Sequence, residues 1–562
     1  MPLQGVPEQI NLQVASANTV VASWVTFETV DPIKPPTVLL TAKTAPDTTT
    51  TNTTTADPPA GGPSTLRGFT HKYVTQGGRV FYMHFVALRD LSPRGKYSYV
   101  VQSGGAGASA SAPFSFRALP DASTPTRLDM YGDLGVYEWN SMENLRADCN
   151  ADAATSVADA IVHMGDHAYN EGDNDEIRAD AYMNAFQPVL AECPWMPVVG
   201  NHEYSGMQLA RYLNSTWEKW APLPLDGSSS GPALSAADAA LFHSTATSAL
   251  GFFLSAGNLH SAGSAGGLHR EPDPARSAAR SEPAVAAGAS GGATHPSNTS
   301  RYFSADVGLV HLIALDFNLY YGFDACGDSC KAAQLLWFEE DLKMATANRG
   351  AVPWIVAMSH FPVFCTGCAG NGVDASAYYA STDAERFGNA NATAAAAFEA
   401  RTRGGSDGDR GSIGKLTSRG ASNDLVTDIA PLLQQYGVDI FMAGHWHYYE
   451  SLWPGTRGSE SCLACLEPIQ KDFVNPKGSV HITTGNGGPP GLDGFREHCP
   501  GEVSALAPSF FSMLLLTLTA PGFVPSPRTD VQGASRCTQL TPGSPRSVLV
   551  GIAARLCRRS VQ

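Results

Sequence analysis

The 562-residue chain has no dense run of basic residues before its last few positions, and acidic residues outnumber basic ones. It contains 37 Lys and Arg against 52 Asp and Glu, which gives a formal net charge of -15. Such a chain lacks the positive surface that neutralises nucleic-acid phosphates, so we expect no nucleic-acid partner. The acidic balance does not exclude small phosphorylated substrates, because bound metal ions can supply a local positive field.

Long apolar runs are also missing. The apolar run at 510–518 is too short to span a bilayer, so no membrane span is expected. Residues 1–7 have neither the basic stretch nor the apolar core of a secretory signal, so no targeting segment is visible.

Cysteines are scarce and odd in number, with eleven in the chain. Three close pairs stand out: Cys326 and Cys330, Cys365 and Cys368, Cys462 and Cys465. Two C-x-x-C pairs could hold a structural zinc ion, but these lie far apart, so disulfides in an oxidising compartment are favoured. Four N-glycosylation sequons in polar stretches agree with that compartment, at Asn52, Asn214, Asn298 and Asn391.

Five short segments along the chain carry oxygen or imidazole donors that suit metal ions. They are Gly-Asp-Leu-Gly at 132–135, Gly-Asp-His-Ala-Tyr at 165–169, Gly-Asn-His-Glu at 200–203, Met-Ser-His at 358–360 and Gly-His-Trp-His at 444–447. Each segment alone is a weak signal, because an isolated aspartate or histidine at a strand end usually has a structural role. Together and in this order, they indicate a metal-dependent phosphoesterase.

Each of these segments follows a short apolar run, which predicts a strand buried on both faces. The runs are residues 127–131, 160–164, 195–199, 354–358 and 439–443. In open α/β sheets, sites form beyond the carboxyl ends of such strands, so the donor segments should meet there. Helices predicted at 331–348 and 426–436 alternate with the strands, which favours a mostly parallel layer.

The residue types suit two cations held side by side. Such a pair binds phosphate oxygens, generates hydroxide from water near neutral pH and stabilises both the attacking and the leaving oxygen. Asp166 is the natural bridge between the cations, because it lies between the ligands expected on either side. His445 and His447 form a His-x-His pair that points both rings to one side of an extended segment.

The five segments resemble those of the purple acid phosphatases, a branch of the calcineurin-like metallophosphoesterases, over roughly residues 5–500. Tyr169 is the most specific element of the resemblance, because most metallophosphoesterases lack a tyrosine in the second motif. The resemblance also implies a secreted, vacuolar or lysosomal location.

The resemblance implies a role for each donor. The residues expected to hold Fe(III) are Asp133, Tyr169 and His447, with Asp166 as the bridge. Those expected to complete a second site, for Zn, Mn or Fe(II), are Asn201, His360 and His445. His202 would not touch metal; it would bind the phosphate and protonate the departing alkoxide as a general acid.

Three functions follow from this assignment. The first is an acid phosphatase for phosphate monoesters, in which a metal-bound hydroxide attacks phosphorus in line. The alternatives are a phosphodiesterase or nucleotide pyrophosphatase, and a non-catalytic secreted glycoprotein, against which the seven intact donor positions count. Plant-type members usually carry a further histidine pair shortly after the position of His360, and residues 361–368 contain no histidine. His202 is therefore the only imidazole expected at the phosphate.

Residues 6–118 are predicted to form a separate β domain. β-rich runs lie at 19–25, 80–86 and 97–101, and Trp24 suits a sandwich core. Residues 91–97 resemble the Leu-x-Pro-x-x-x-Tyr turn of fibronectin type III domains, in which the tyrosine hydroxyl ties a corner. The expected fold is thus an all-β, fibronectin type III-like sandwich followed by an α/β metallophosphoesterase domain at 126–499. For that second domain, the resemblance implies two packed mixed β-sheets flanked by helices.

Three further segments are expected to lie outside this core. Residues 225–297 and 393–422 are low-complexity insertions that cannot bury much apolar surface. The tail, 504–562, lacks Tyr and Trp and does not match the family. We predict that the tail is disordered, which would deprive a sheet of its last strand.

Overall fold

A computed structural model describes the folded parts of the chain. The residues described are 5–27, 34–43, 62–75, 77–104, 109–135, 142–149, 158–169, 173–204, 301–321, 327–364, 423–447, 449–452, 454–457, 466–469, 476–485, 487, 504–506, 514–518 and 551–554. Both predicted insertions and the four sequon asparagines lie outside these residues.

The N-terminal region is an all-β sandwich. Its strands are β1 (Glu8–Ser16), β2 (Thr19–Thr26), β3 (Thr37–Ala42), β4 (Ser64–Arg67), β5 (Phe69–Val74), β6 (Val80–Leu88), β7 (Lys96–Gln102) and β8 (Phe114–Arg117). Trp24 is fully buried in the core, and its indole N–H donates to Ser103 Oγ at 2.8 Å. Tyr97 Oη accepts a hydrogen bond from Ser92 N at 2.9 Å, which is the corner contact that the turn sequence predicts.

Fourteen strands of the described chain follow the sandwich. They are β9 (Thr126–Tyr131), β10 (Ala160–Met164), β11 (Pro194–Val198), β12 (Phe303–Val307), β13 (Val310–Ala314), β14 (Trp354–Ser359), β15 (Ile440–Ala443), β16 (Tyr449–Leu452), β17 (Gly455–Arg457), β18 (Leu466–Pro468), β19 (Val480–Thr484), β20 (Ser504–Leu506), β21 (Leu514–Leu518) and β22 (Gly551–Ala554). One sheet has parallel β9, β10 and β11 at its centre, and the other contains parallel β13, β14, β15 and β19. Strands of both sheets contribute to one continuous hydrophobic core, so the predicted pair of packed mixed sheets is confirmed.

The helices lie between these strands. They are α1 (Met142–Cys149), α2 (Asp173–Leu190), α3 (Asn201–Tyr204), α4 (Gly327–Ala347) and α5 (Asn423–Gln435), with a 3-10 turn at Phe317–Tyr320. Buried side chains of α4 and α5, such as Phe338 and Ile429, share a core cluster with Ile355 and Phe441 of the second sheet. Within the residues described, no helix is both long and apolar enough to cross a bilayer.

Backbone hydrogen bonds connect the sandwich to the catalytic region. β1 pairs in parallel with β11, with Leu12 opposite Pro194 and Gln13 opposite Trp195. The first sheet therefore runs through both regions, in the order β22-β21-β9-β10-β11-β1-β2-β6-β5. The apolar run at 195–199 predicts β11, but it does not specify a partner that lies about 180 residues away.

The prediction of a disordered tail is wrong for the parts of 504–562 that the structure describes. β21 pairs antiparallel with β9, and Leu516 and Leu518 are fully buried. β20 and β22 also pair, with β16 and β21 respectively. Leu516 and Leu518 are thus buried against the first sheet, and their burial offsets the entropy of ordering this strand.

One disulfide joins Cys149, at the end of α1, to Cys193, just before β11. Cys330 is also disulfide-bonded, whereas Cys326, Cys365, Cys368, Cys462 and Cys465 lie outside the described residues.

Candidate metal centre

The eight predicted site residues meet at the carboxyl ends of parallel strands. Asp133 follows β9 and Asp166 follows β10, and hydrogen bonding of Asp133 N to the Gly165 carbonyl (3.0 Å) joins the two loops. Asn201 follows β11 as the first residue of α3. His360 follows β14, and His445 follows β15. The strand order thus brings together donors that are up to 314 residues apart in the sequence.

One group of donors consists of Asp133, Tyr169 and His447. Tyr169 Oη lies 2.8 Å from His447 Nε2 and donates to Asp133 Oδ1 at 3.3 Å. His447 Nε2 is itself 3.3 Å from Asp133 Oδ1. A carboxylate oxygen, a phenol oxygen and an imidazole nitrogen therefore converge on one point, which is a donor set that suits a hard or borderline cation.

A second group consists of Asn201, His360, His445 and Asp166. Asn201 Oδ1 lies 2.9 Å from His360 Nε2 and 3.1 Å from His445 Nδ1. Asp166 Oδ2 lies 3.2 Å from His360 Nε2, and donor atoms of Asp166, His360 and His445 all lie within 4.8 Å of one another. His360 Nδ1 is 2.7 Å from the Met164 carbonyl, a contact that fixes the ring and presents Nε2 to the centre.

His202 lies between the two groups at the mouth of the centre. Its backbone N–H donates to Asp166 Oδ1 at 3.0 Å, and its Nε2 is 3.7 Å from Asp166 Oδ2. Its ring centroid is 4.7 Å from that of Tyr169. The side chain is 13% exposed, more than Asp166 at 2%, so His202 can reach a molecule that enters from solvent.

Four of these residues have a backbone conformation that is unfavourable for any residue but glycine. Positive φ values are found at Asp133 (61°), Asp166 (53°), Tyr169 (54°) and His445 (68°). Each such conformation costs roughly 1–2 kcal/mol and persists only where the surroundings enforce it. The strain turns four donors toward one point, which is typical of a functional site rather than of a core.

Two glycines allow the loops to approach closely enough. Gly165 has a φ of +82°, and a Cβ there would lie 2.6 Å from His360 Nδ1. A Cβ on Gly444 would lie 2.8 Å from Asp133 Oδ2. A larger residue at either position would therefore displace a donor.

Glu203 connects the second and third segments beneath the centre. Its fully buried carboxylate accepts hydrogen bonds from the backbone N–H groups of Asp166 (2.9 Å), His167 (2.9 Å) and Gly200 (2.8 Å). Hydrogen bonds to a charged acceptor are stronger than neutral ones. Glu203 therefore holds Asp166 in its strained conformation.

The charges of the centre favour bound positive charge. Burial raises the pKa of Asp133. Burial also opposes ionisation of Asp166, but the neighbouring imidazoles of His360 and His202 outweigh it and lower its pKa. Burial disfavours the charged form of His360, yet Asp166 and Asp133 raise the pKa of His360 to about 9. The two carboxylates thus stabilise positive charge in this buried site. Bound metal ions would supply such charge.

The sequence analysis identified Glu203 only as part of the third donor segment, and it gave no role to the aromatic residues beside His445. The ring centroid of Phe361 lies 4.2 Å from that of His445 and 4.0 Å from that of Tyr321. The only signal was the position of Phe361 directly after His360, and an aromatic residue there equally suits a core.

Comparisons with known proteins agree with this geometry. Residues 7–118 match the family model described as Purple acid Phosphatase, N-terminal domain, and residues 126–275 match the one described as Calcineurin-like phosphoesterase. These two matches, in this order along the chain, agree with the resemblance to the purple acid phosphatases. The calcineurin-like phosphoesterase domain indicates a hydrolase.

Individual relatives of the chain are distant. The chain is 25% identical to acid phosphatase type 7 of Mus musculus over 484 residues, which cover 86% of this chain and 78% of the relative. It is 26% identical to acid phosphatase type 7 of Homo sapiens, over 73% of this chain and 65% of the relative. A solved purple acid phosphatase from yellow lupin seeds has 18% identity and a TM-score of 0.51, covering 91% of this chain and 70% of that chain. This last likeness concerns the fold alone.

Proposed function

We propose that this protein hydrolyses phosphate monoesters as an acid phosphatase, at a dinuclear centre of Fe(III) and a divalent metal (Zn, Mn or Fe(II)). The observation that supports it most is the convergence of seven donor side chains in two groups. Asp133, Tyr169 and His447 would hold Fe(III), and Asn201, His360 and His445 the divalent ion, with Asp166 shared. Once bound, two such cations would neutralise phosphate oxygens and acidify a water molecule.

The protein's own residues supply orientation and proton transfer. Glu203 fixes Asp166 through three backbone hydrogen bonds, and the Met164 carbonyl fixes the ring of His360. His202, which is partly exposed to solvent, would hydrogen-bond the phosphate and protonate the leaving oxygen. Stabilising that oxygen lowers the barrier for esters whose alcohols leave poorly.

We also propose that the protein acts outside the reducing cytosol, as a secreted or vacuolar/lysosomal enzyme on small phosphorylated substrates. The disulfide between Cys149 and Cys193 supports this location, because such bonds persist in oxidising compartments. N-glycans would be attached at Asn52, Asn214, Asn298 and Asn391.

Hydrolysis of p-nitrophenyl phosphate between pH 4 and 8 tests the proposal. Wild type is compared with Asp166→Asn, which removes the shared carboxylate charge, and with Asp121→Asn, which alters an exposed aspartate. We expect acid-side turnover in wild type and Asp121→Asn, and none in Asp166→Asn. Metal content and thermal unfolding of each variant are measured in parallel.

Other outcomes separate the alternatives. Faster turnover of bis(p-nitrophenyl) phosphate than of the monoester would favour a phosphodiesterase. Folded wild type without bound metal, purified from an iron- and zinc-replete host, would favour a non-catalytic glycoprotein. Full activity of Asp166→Asn would contradict the metal assignment.

A further inference from the structure

The start of α2 has an unusual backbone just after the loop that carries Tyr169. Asn174, Asp175 and Glu176 have φ values of 55°, 57° and 66°. None of them is glycine, so this conformation is unfavourable at all three positions. Three consecutive residues remain in it only if neighbouring groups hold them there.

The groups that hold this turn come from the hairpin of the N-terminal sandwich formed by β5 and β6. Tyr73 Oη donates to Glu176 Oε1 at 2.7 Å, and both side chains are buried. Gly77 N donates to Asp175 Oδ1 at 2.8 Å. Arg79 donates to the Asp175 carbonyl from Nε (3.2 Å) and Nη2 (2.8 Å). The hairpin thus binds both the side chains and the backbone of the strained turn.

A third residue of α2, Asp180, anchors the hairpin one turn further along. Asp180 pairs with Arg79 Nη1 and accepts a hydrogen bond from Gln9 Nε2 at 2.7 Å. The Arg79 guanidinium therefore has one fixed orientation, with a carboxylate and a backbone carbonyl as partners. Such forked recognition is specific to arginine, because lysine offers a single charged nitrogen.

The same part of α2 reaches back to the metal centre. Arg178 Nε donates to the carbonyl of Ala168 at 2.7 Å. Ala168 is fully buried and directly precedes Tyr169, whose own φ is 54°. The position of the Tyr169 phenol, 2.8 Å from His447 Nε2, thus depends on where the first turn of α2 is held.

We propose that Tyr73 and Arg79 of the N-terminal sandwich are positioning residues for Tyr169 and so for the metal ion on the Tyr169 side of the centre. The path runs from the hairpin to residues 175 and 176, then through Arg178 to the backbone of Ala168. Asn201, His360 and His445, on the other side, have no described contact with the hairpin. The inference rests on the dinuclear centre proposed above.

The test is a double substitution, Tyr73→Phe with Arg79→Lys, which removes one hydroxyl and the guanidinium fork while preserving size and charge. The chain offers a closely matched control. Tyr436 Oη donates to Glu339 Oε1 at 2.8 Å, and Arg349 binds the Pro353 carbonyl (2.7 Å) and Asp439 (2.8 Å). Tyr436→Phe with Arg349→Lys therefore breaks the same kinds of contact at the ends of α4 and α5, outside the hairpin.

Metal affinity is measured by competition with a chelator, with metal per folded protein read by elemental analysis. We expect the affinity of the hairpin variant for the metal on the Tyr169 side to fall about 10- to 100-fold, as when other supporting groups around metal ligands are removed. The metal held by Asn201, His360 and His445 should keep its wild-type affinity, and the control variant should keep both. Adding Tyr169→Phe to the hairpin variant should produce much less further loss than it does in wild type, because the two changes act on the same metal.

Unchanged affinities in the hairpin variant would overturn the inference. Equal weakening of both metals, or the same loss in the control variant, would also overturn it, because general destabilisation acts on the whole centre. Tyr73→Phe alone provides a milder test if the double variant does not fold. If wild type itself binds no metal, the proposed function fails first, so the two failures are distinguishable.

Discussion

At the scale of single residues, His202 differs from the other members of the centre because it is not expected to bind metal. We therefore predict that His202→Ala keeps its metal content but lowers kcat. The loss should reach about 10²- to 10⁴-fold for alkyl phosphates, whose alcohols need a proton to leave, and should be much smaller for p-nitrophenyl phosphate. Steady-state kinetics with both substrates and elemental analysis measure this. Equal losses for the two substrates would show that His202 is not the general acid.

Glu203 acts at the same scale, but through the backbone. Glu203→Gln keeps the size of the side chain and replaces one of the two carboxylate oxygens that now accept three backbone N–H groups. We expect metal affinity to fall about 10- to 100-fold, as measured by chelator competition. Glu340→Gln is the control, because Glu340 is exposed on α4 and pairs with the surface residue Lys343 (2.8 Å). Wild-type affinity in Glu203→Gln would contradict a positioning role.

At the scale of elements, a buried ionic network joins β12, β13 and α4. His311 on β13 lies 2.6 Å from Asp306 on β12 and 3.0 Å from Asp341 on α4. Burial disfavours its charge, but the hydrogen bonds to the two carboxylates raise the pKa of His311 to about 9. The folded chain therefore keeps a proton that the unfolded chain releases above its ordinary pKa of 6.5. This network stabilises the fold fully below pH 6.5, and the contribution is lost as the pH rises through 9.

We predict that the free energy of unfolding falls by roughly 3 kcal/mol between pH 6.5 and 9 because of this group. Thermal unfolding across that range measures the slope, and His311→Gln should reduce it. His84→Gln is the matched control: burial lowers the pKa of His84 to about 3, so this residue does not titrate in the range. A slope that is the same in wild type and His311→Gln would refute the prediction.

The elements also show what a sequence can and cannot predict. The strand at 160–164 has the predicted bounds, and the helix predicted at 331–348 is found at Gly327–Ala347, because local apolar periodicity determines both. The meeting of the donor segments follows from placing each one after a buried strand. The left-handed start of α2 was not predictable, since Asn174, Asp175 and Glu176 are ordinary helix-start residues and contacts with the β5–β6 hairpin, remote in the sequence, hold Asp175 and Glu176. The β21 strand was missed because its apolar residues alone do not identify β9 as a partner.

At the scale of the whole molecule, the two regions form one structural unit. The β1–β11 pairing makes a single sheet, and polar contacts also join the sandwich to the catalytic region. Arg94 of the sandwich binds Asp159 through Nη1 at 2.7 Å, and Tyr99 Oη donates to the Ala191 carbonyl at 2.7 Å. Because Asp159 and Tyr99 are buried, loss of the opposite region would leave these groups exposed or unpaired.

This unity predicts how a truncated chain behaves. A fragment that begins at residue 119 would expose the edge of β11 and the apolar surface beneath it, and such edges pair with other chains. We expect the fragment to aggregate or to unfold without a cooperative transition, whereas the full chain should show one calorimetric transition for both regions. The expected outcome includes weak metal binding on the Tyr169 side, because the hairpin that holds α2 is gone. A soluble fragment with wild-type metal content, together with two separate transitions in the full chain, would show that the sandwich is an independent domain.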